Sequence, residues 1–128
     1  MLRVLDLGPQ ALIVELACGR AGYGLATVQA TGAALVGVDF SPVAIASARV
    51  RAGQLQLSDR AWFQVGDLVD SGLDAGSADA VLCIDSIHFA SSVGAAAAEC
   101  RRLLVPGGRV VITTWEPADP NSQLPDRI

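Results

Sequence analysis

The chain has 128 residues, of which 52% are hydrophobic and 17% charged, and its 13 acidic and 9 basic side chains give a formal net charge of −4. That length suits one compact domain over residues 1–128, and so apolar a composition excludes an intrinsically disordered chain. An acidic chain whose basic residues are scattered is not expected to bind nucleic acid.

Short apolar runs alternate with helix-like stretches along the whole chain. In chain order, the predicted elements are a strand over residues 11–16, a helix over 22–30, a strand over 34–38, a helix over 43–52, a strand over 62–65, a strand over 78–84, a helix that opens at Ser91 or Ser92, and a strand over 109–115. Gly32 and Gly53 are predicted to end the first two helices, and Ser41 with Pro42 to begin the second. Residues 106–108, Pro-Gly-Gly, are predicted to end the third.

The third helix has the clearest amphipathic pattern. Its apolar positions follow the spacing of one helical face and are Val93, Ala96, Ala97, Cys100, Leu103 and Leu104. Three charged residues, Glu99, Arg101 and Arg102, lie off that stripe. The pattern therefore predicts a helix that packs on a sheet through its apolar face.

The predicted strands are continuous apolar runs, which is typical of strands buried on both faces. The fold class is therefore α/β: a Rossmann-like, doubly wound and mainly parallel sheet of about five strands with helices on both faces. Ligands of such sheets bind outside the carboxyl ends of the strands. An acidic residue stands near the end of every run, namely Glu15, Asp39, Asp67, Asp85 and Glu116. Each alone is as well explained as a solvated loop carboxylate, but their repetition favours a shared rim.

The strongest local motif is the sequence VELACGRAGYG at residues 14–24, where the first strand turns into a helix. Glycines there let the backbone approach a ligand closely. The spacing Gly19-x-x-Gly22-x-Gly24 differs from the Gly-x-Gly-x-x-Gly of dinucleotide-binding loops. An acid, Glu15, also precedes the loop, which favours a ligand with little negative charge or one that carries an ammonium group.

Two further positions complete a candidate nucleoside pocket. Asp39 lies 20 residues after Gly19 at the end of the second strand, where a carboxylate can accept hydrogen bonds from ribose hydroxyls. Phe40 follows it and suits one face of an adenine. The sequence Gly66-Asp67-Leu68 ends the third strand, with an acceptor for an exocyclic amine and an apolar side chain for the base. The pattern predicts an adenosine pocket without a phosphate cradle.

These motifs together resemble the class I S-adenosylmethionine-dependent methyltransferases, and more narrowly the small-molecule, type 11-like methyltransferases of bacterial secondary metabolism. The resembling segments are VELACGRAG, VGVDFSP, GDL, ADAVLCID and LLVPGGRVVI, in the family's order between residues 12 and 116. The resemblance implies that S-adenosylmethionine is the cofactor. It implies that Glu15 and the loop through Ala17 and Gly19 hold the methionine part of the cofactor, and that Asp39 binds the ribose hydroxyls. It also implies that Asp67 with Leu68 frames the adenine, and that Asp85 lies near the transferring methyl.

The chain departs from the family pattern in two ways. Ala17 and Ala21 stand where the family usually has glycine, and their methyl groups are expected to crowd the loop. Family members also carry an N-terminal helical lid and a final antiparallel strand pair, which this sequence is expected to lack. The resemblance therefore implies a truncated core that binds cofactor but turns over poorly, since lid closure normally excludes water.

His88 is the candidate catalytic residue. It stands three residues after Asp85, and imidazole titrates near neutral pH, as a general base should. The competing interpretation is a loop histidine hydrogen-bonded to a neighbour. Many methyl transfers need no strong base, because a sulfonium is already an activated donor and alignment suffices. Trp115 is expected to cap the sheet, and Arg20 to be a solvated loop charge.

Two functions from different classes compete. The first is methyl transfer from S-adenosylmethionine to an oxygen, nitrogen or carbon atom of a small metabolite. The second is a non-catalytic methyltransferase-like module that pairs with another chain, with a homodimer through the exposed edge of the fifth strand as the expected form. A nicotinamide-dependent oxidoreductase shares the architecture but does not fit the glycine spacing.

Cysteine usage and the lack of targeting signals predict a cytoplasmic protein. The three cysteines, Cys18, Cys83 and Cys100, are far apart and form no Cys-x-x-Cys pair, and His88 is the single histidine, so no zinc site is expected. The long uncharged run over residues 21–38 is interrupted by glycines and polar residues, so no membrane span is expected. No signal peptide is visible.

Overall fold

The computed structural model describes residues 7–114, in which strands and helices alternate as the sequence predicts. In chain order the elements are β1 (Leu12–Leu16), α1 (Gly22–Thr31), β2 (Ala34–Asp39), α2 (Pro42–Gln54), β3 (Ala61–Val65), β4 (Ala78–Ile84), α3 (Val93–Leu103) and β5 (Leu104–Thr113). A single 3₁₀ turn, Ile87–Phe89, lies between β4 and α3. Glu116 and Trp115, both named above, lie outside the described residues.

The five strands form one parallel sheet in the order β3-β2-β1-β4-β5. The chain first winds outward from β1 to β3 and then returns to β4 on the other side of β1. The strand order therefore reverses between β1 and β4, which is where open α/β sheets bind their ligands. This confirms the predicted Rossmann-like architecture.

Helices cover both faces of the sheet, because successive side chains of each strand point to opposite sides. Ile13 packs with residues of α1 and α2 in one core cluster, whereas Val14 packs with residues of α3 and the 3₁₀ turn in the other. Both residues are fully buried. The continuous apolar runs of the strands thus have the predicted physical origin, which is burial on two sides.

The predicted bounds of α1 and the predicted start of α2 are confirmed, whereas the predicted ends of α2 and α3 are wrong. α3 ends at Leu103 rather than at the Pro-Gly-Gly of residues 106–108. Gly32 ends α1, with its N–H donating to the carbonyl oxygen of Val28, and Ser41 caps α2 by accepting from the N–H of Ala44. The prediction that Gly53 ends α2 is wrong, since the helix runs to Gln54. The chain reverses instead at Gln56, whose φ is 60°.

The predicted face of α3 is partly wrong. Ser92 caps the helix, and the buried side chains are those of Ala96, Glu99, Cys100 and Leu103. Val93 and Ala97, assigned to the apolar stripe, are exposed, whereas the charged Glu99 is buried. The packed face of the helix is therefore turned from the predicted stripe toward Glu99, because the carboxylate of Glu99 binds a loop that crosses the sheet beside the helix.

β5 also begins earlier than predicted. It pairs with β4 from Leu104 onward, and the register jumps from Ala78–Leu104 to Ala80–Arg109. Residues 105–108, including Pro-Gly-Gly, therefore form a bulge within the strand rather than a loop that precedes it.

Candidate functional site

The glycine-rich loop between β1 and α1 has a compact, left-handed geometry. Ala17, Gly19 and Ala21 have φ angles of 53°, 54° and 62°. The N–H of Cys18 donates to the carbonyl oxygen of Val38 at 2.9 Å, which ties the loop to the end of β2. Two of these three positions carry the alanines that depart from the family pattern.

Asp39 connects this loop to the start of α2. Its side chain is only 7% exposed. One carboxylate oxygen, Oδ2, accepts from the N–H of Gly19 at 2.8 Å, and Oδ1 accepts from the N–H of Ser41 at 2.9 Å. Each oxygen has two lone pairs, so the carboxylate still has capacity to accept from a ligand hydroxyl.

The segment after β3 forms the opposite wall. The N–H of Gly66 donates to the carbonyl oxygen of Asp39 at 2.9 Å. A Cβ at Gly66 would lie 2.9 Å from the carbonyl oxygen of Ser71 and 2.9 Å from Val38 Cγ1, so only glycine fits there. Asp67 accepts from the N–H of Val69 at 2.9 Å, and Leu68 is buried in the core.

These segments line an open cavity of about 650 Å³ at the carboxyl edge of the sheet. Its lining residues are Ala17, Gly19, Asp39, Phe40, Gly66, Asp67, Leu68, Ser86 and Phe89. Seven of these are residues that the sequence pattern assigned to the cofactor, and none of the nine is basic. The volume lies within the usual range for small-molecule sites, roughly 300–1,000 Å³.

Glu15 was also assigned to the cofactor, but its carboxyl group is not among the lining groups. It is 3% exposed beneath the loop, and its Oε1 accepts from the N–H of Gly24 at 3.2 Å. A Cβ at Gly24 would lie 2.5 Å from that oxygen, so this glycine makes room for the carboxyl. Burial raises the pKa of Glu15 to about 8, against the weaker lowering effect of the Gly24 hydrogen bond.

Asp85 and His88 lie beside the cavity rather than in its lining. Asp85 is exposed, has a φ of 54°, and its Oδ1 accepts from the hydroxyl of Thr113 at 2.9 Å. His88 is exposed and stacks at a tilt on Phe89, with ring centroids 4.2 Å apart. Catalysis by His88 stays a prediction, as does the placement of Asp85 near the transferring methyl.

Ser86 and Phe89 line the cavity and were missed in the sequence. Both follow β4, where the sequence motifs point only to Asp85 and His88. The available signal was an aromatic residue close to the end of a predicted parallel strand. Phe89 is 58% exposed and lines the cavity.

The cysteines take no part in this chemistry. All three are buried and unpaired. Burial raises the pKa of the Cys83 thiol to about 11, and burial together with Glu15 and Asp39 raises the pKa of the Cys18 thiol further still. Such thiols stay protonated and are poor nucleophiles.

Replacing Ala17 by glycine is expected to stabilise the protein. An alanine in the left-handed region costs about 1 kcal/mol, so Ala17→Gly should raise the free energy of unfolding by roughly 0.5–1 kcal/mol in urea titrations. The matched control is Ala26→Gly in the exposed middle of α1, which should lower it by about 1 kcal/mol. A loss of stability at both positions would contradict strain at Ala17.

Comparisons with known proteins agree with this geometry. The family model for a methyltransferase domain matches residues 14–112. A tocopherol O-methyltransferase of Arabidopsis thaliana is 31% identical over 103 residues, or 80% of this chain. A ubiquinone biosynthesis O-methyltransferase of Alkalilimnicola ehrlichii is 32% identical over 114 residues, or 88% of this chain.

A solved structure gives the same assignment in three dimensions. A geranyl diphosphate methyltransferase, determined in complex with S-adenosylmethionine, superposes with a TM-score of 0.80 and 27% identity over 85% of this chain and 44% of that one. The chain spans 30% of the length of the tocopherol enzyme and 44% of the ubiquinone enzyme. Since the family model covers well over half of the sequence, the chain belongs to the methyltransferase domain family.

Proposed function

We propose that this chain binds S-adenosylmethionine and forms the core of an enzyme that transfers its methyl group to an oxygen, nitrogen or carbon atom of a small molecule. The observation that carries the proposal is the cavity itself. It brings the carboxylate of Asp39, the backbone of the glycine-rich loop and the segment 66–68 together at the point where the strand order reverses.

The lining groups suit each part of that cofactor. Asp39 would accept from the two ribose hydroxyls. Phe40 and Leu68 would lie against the adenine, and Asp67 would accept from its exocyclic amine. The loop through Ala17 and Gly19 would pass along the methionine part.

The charges of the site also suit a cation. None of the lining side chains is basic, so the cavity offers no counter-charge to a pyrophosphate. Asp39 and Asp67 line it and Asp85 lies beside it, which would attract the sulfonium and ammonium groups of S-adenosylmethionine. A nicotinamide dinucleotide, with its two phosphates, fits this lining poorly.

The cofactor, when bound, supplies a methyl group on a positively charged sulfur. The residues of the chain would then act by orientation, holding the donor so that a nucleophile can approach in line. His88 and Asp85 lie at the end of β4 beside the cavity, where one of them would accept a proton from an acceptor that loses one.

An apolar acceptor suits the mouth of the site. Phe89, which has no role toward the cofactor, is 58% exposed and lines the cavity after β4. Tocopherol and ubiquinone, which the names of two related enzymes include, both carry extended apolar chains. We therefore infer a small hydrophobic metabolite as the acceptor, of the kind that secondary metabolism produces.

A cytoplasmic location is part of the proposal. Three buried, unpaired cysteines are typical of proteins from a reducing compartment. Among residues 7–114, no helix has both the length and the apolar character needed to cross a membrane.

A second candidate function is that of a non-catalytic module that pairs with another chain. Within residues 7–114, β5 is an edge strand of the sheet, and its Val110 and Ile112 side chains are partly exposed. An uncovered apolar edge favours association, and a second copy of the chain is the simplest partner. This candidate requires no cofactor.

Calorimetric titration with S-adenosylhomocysteine, the demethylated product, distinguishes the two. Saturable one-to-one binding is expected if the cavity is a cofactor site, and it requires no knowledge of the acceptor. No binding to a folded sample would overturn the proposal. A dimer detected by sedimentation in that sample would then favour the pairing module.

A further inference from the structure

The connection between β3 and β4 is a loop without a helix, and it has to cross the sheet. β3 is the edge strand, and β4 lies beyond β2 and β1, so the loop passes over one face of the sheet to reach it. The loop begins with residues 66–68, which line the proposed cofactor cavity. Whatever holds the loop therefore also holds one wall of that cavity.

Glu99 on α3 holds this loop through a buried carboxylate. Although charged, Glu99 is 6% exposed. Its Oε2 accepts from both the N–H of Ser71 at 2.9 Å and the hydroxyl of Ser71 at 2.6 Å. Arg102, one turn further along the helix, donates from Nε to Oε1 at 2.6 Å and from Nη2 to Oε2 at 2.8 Å.

Arg102 extends the same network along the loop. Its Nη2 donates to the carbonyl oxygen of Leu73 at 2.7 Å, and its own carbonyl oxygen accepts from the N–H of Gly76 at 2.9 Å. The hydrogen bonds from Arg102 and Ser71 hold the pKa of Glu99 at about 2, so the carboxylate stays ionised at physiological pH. α3 is thus hydrogen-bonded to the middle of the loop at Ser71, Leu73 and Gly76.

Ser71 transmits this anchoring to the cavity. Its carbonyl oxygen accepts from the side-chain amide of Gln64 in β3 at 2.9 Å. The same oxygen stands where a Cβ on Gly66 would be only 2.9 Å away, so the two backbones are tightly apposed. Movement of Ser71 would therefore displace Gly66, and with it Asp67 and Leu68.

We propose that Glu99 is a positioning residue for cofactor binding: through Ser71 it fixes the wall formed by Gly66, Asp67 and Leu68, which faces the adenine. This inference rests on the proposed function. Glu99 itself is not among the residues that line the cavity. Its burial in a charge-assisted network explains why an acidic residue lies on the packed face of α3.

The test is Glu99→Gln, which keeps the shape of the side chain but removes its charge. We expect the dissociation constants of both adenosine and S-adenosylhomocysteine to rise by about tenfold. The reason is that the hydrogen bonds from Ser71 weaken when their acceptor is no longer charged, so the loop is held less firmly. Ser71→Ala, which removes a single hydroxyl, should give a smaller rise and serves if Glu99→Gln fails to fold.

A second measurement separates positioning from stability alone. Amide NMR signals of residues 66–68 should shift in Glu99→Gln, whereas the signal of Gly19 on the opposite wall should not. Val28→Ala, a buried change in the second half of α1, is the stability control and should lower the melting temperature without changing either dissociation constant.

The outcomes are distinguishable from a failure of the proposed function. If the unaltered protein does not bind S-adenosylhomocysteine, the proposed function is overturned together with this inference. If it binds, and Glu99→Gln binds both ligands as tightly as the unaltered protein, Glu99 only stabilises the fold and the inference alone is overturned.

Discussion

Replacing Asp39 by asparagine is expected to weaken the binding of S-adenosylhomocysteine by about a hundredfold, measured by calorimetry. The carboxylate accepts from the N–H of Gly19 on one oxygen and from the N–H of Ser41 on the other. An asparagine must turn its NH₂ group toward one of these two donors, so one anchor is replaced by repulsion. The ribose also loses a charged acceptor, and two charge-assisted hydrogen bonds at about 1.5 kcal/mol each account for the expected loss.

Comparing ligands with and without the 2′-hydroxyl tests whether the lost affinity arises at the ribose. The unaltered protein should bind adenosine more tightly than 2′-deoxyadenosine, whereas Asp39→Asn should bind the two alike. Asp59→Asn is the matched control, because Asp59 is exposed in the turn before β3, at the opposite edge of the sheet. Equal affinities of Asp39→Asn and the unaltered protein, with both folded, would remove Asp39 from the site.

Most of the fold was predictable because it follows from local patterns. Strands buried on two faces must be continuous apolar runs, and this alone placed β4 at its observed bounds. The signals at Ser41 and Pro42 also act within a single turn, where capping is decided. The helix end predicted at Gly53 is wrong because a glycine permits a helix to end without requiring it. The positive φ at Gln56, where the chain reverses, has no comparable signal in the sequence.

The cavity was largely predictable for a different reason. In a parallel sheet, residues at the ends of neighbouring strands converge on one edge, so Asp39 and Asp67 had to lie near the glycine-rich loop. The burial of Glu99 was not predictable, because helical periodicity does not reveal which loop will cross a helix face. Its partner Ser71 is 28 residues distant along the chain.

The free energy of unfolding is expected to fall between pH 5 and pH 8, and replacing Glu15 by glutamine is expected to remove most of that fall. Burial raises the pKa of this carboxyl from 4.5 to about 8 in the folded state. Between those values the folded chain retains a proton that the unfolded chain has released, so the free energy of unfolding falls as the pH rises. At about 1.4 kcal/mol per pH unit, the loss is on the order of 5 kcal/mol and is complete above about pH 8.

Glutamine is neutral throughout this range and keeps an oxygen that can accept from the N–H of Gly24. Urea titrations of Glu15→Gln should therefore give a nearly flat profile from pH 5 to 8, crossing above that of the unaltered protein as the pH rises. Glu99→Gln is the control, because a pKa lowered to about 2 confines the pH dependence of the Glu99 contribution to the range below about pH 4.5, where stability is lost as the pH falls. Parallel profiles for Glu15→Gln and the unaltered protein would mean that Glu15 is already ionised at pH 5. The raised pKa would then be wrong, because the buried carboxylate would be stabilised by more than its hydrogen bond from Gly24.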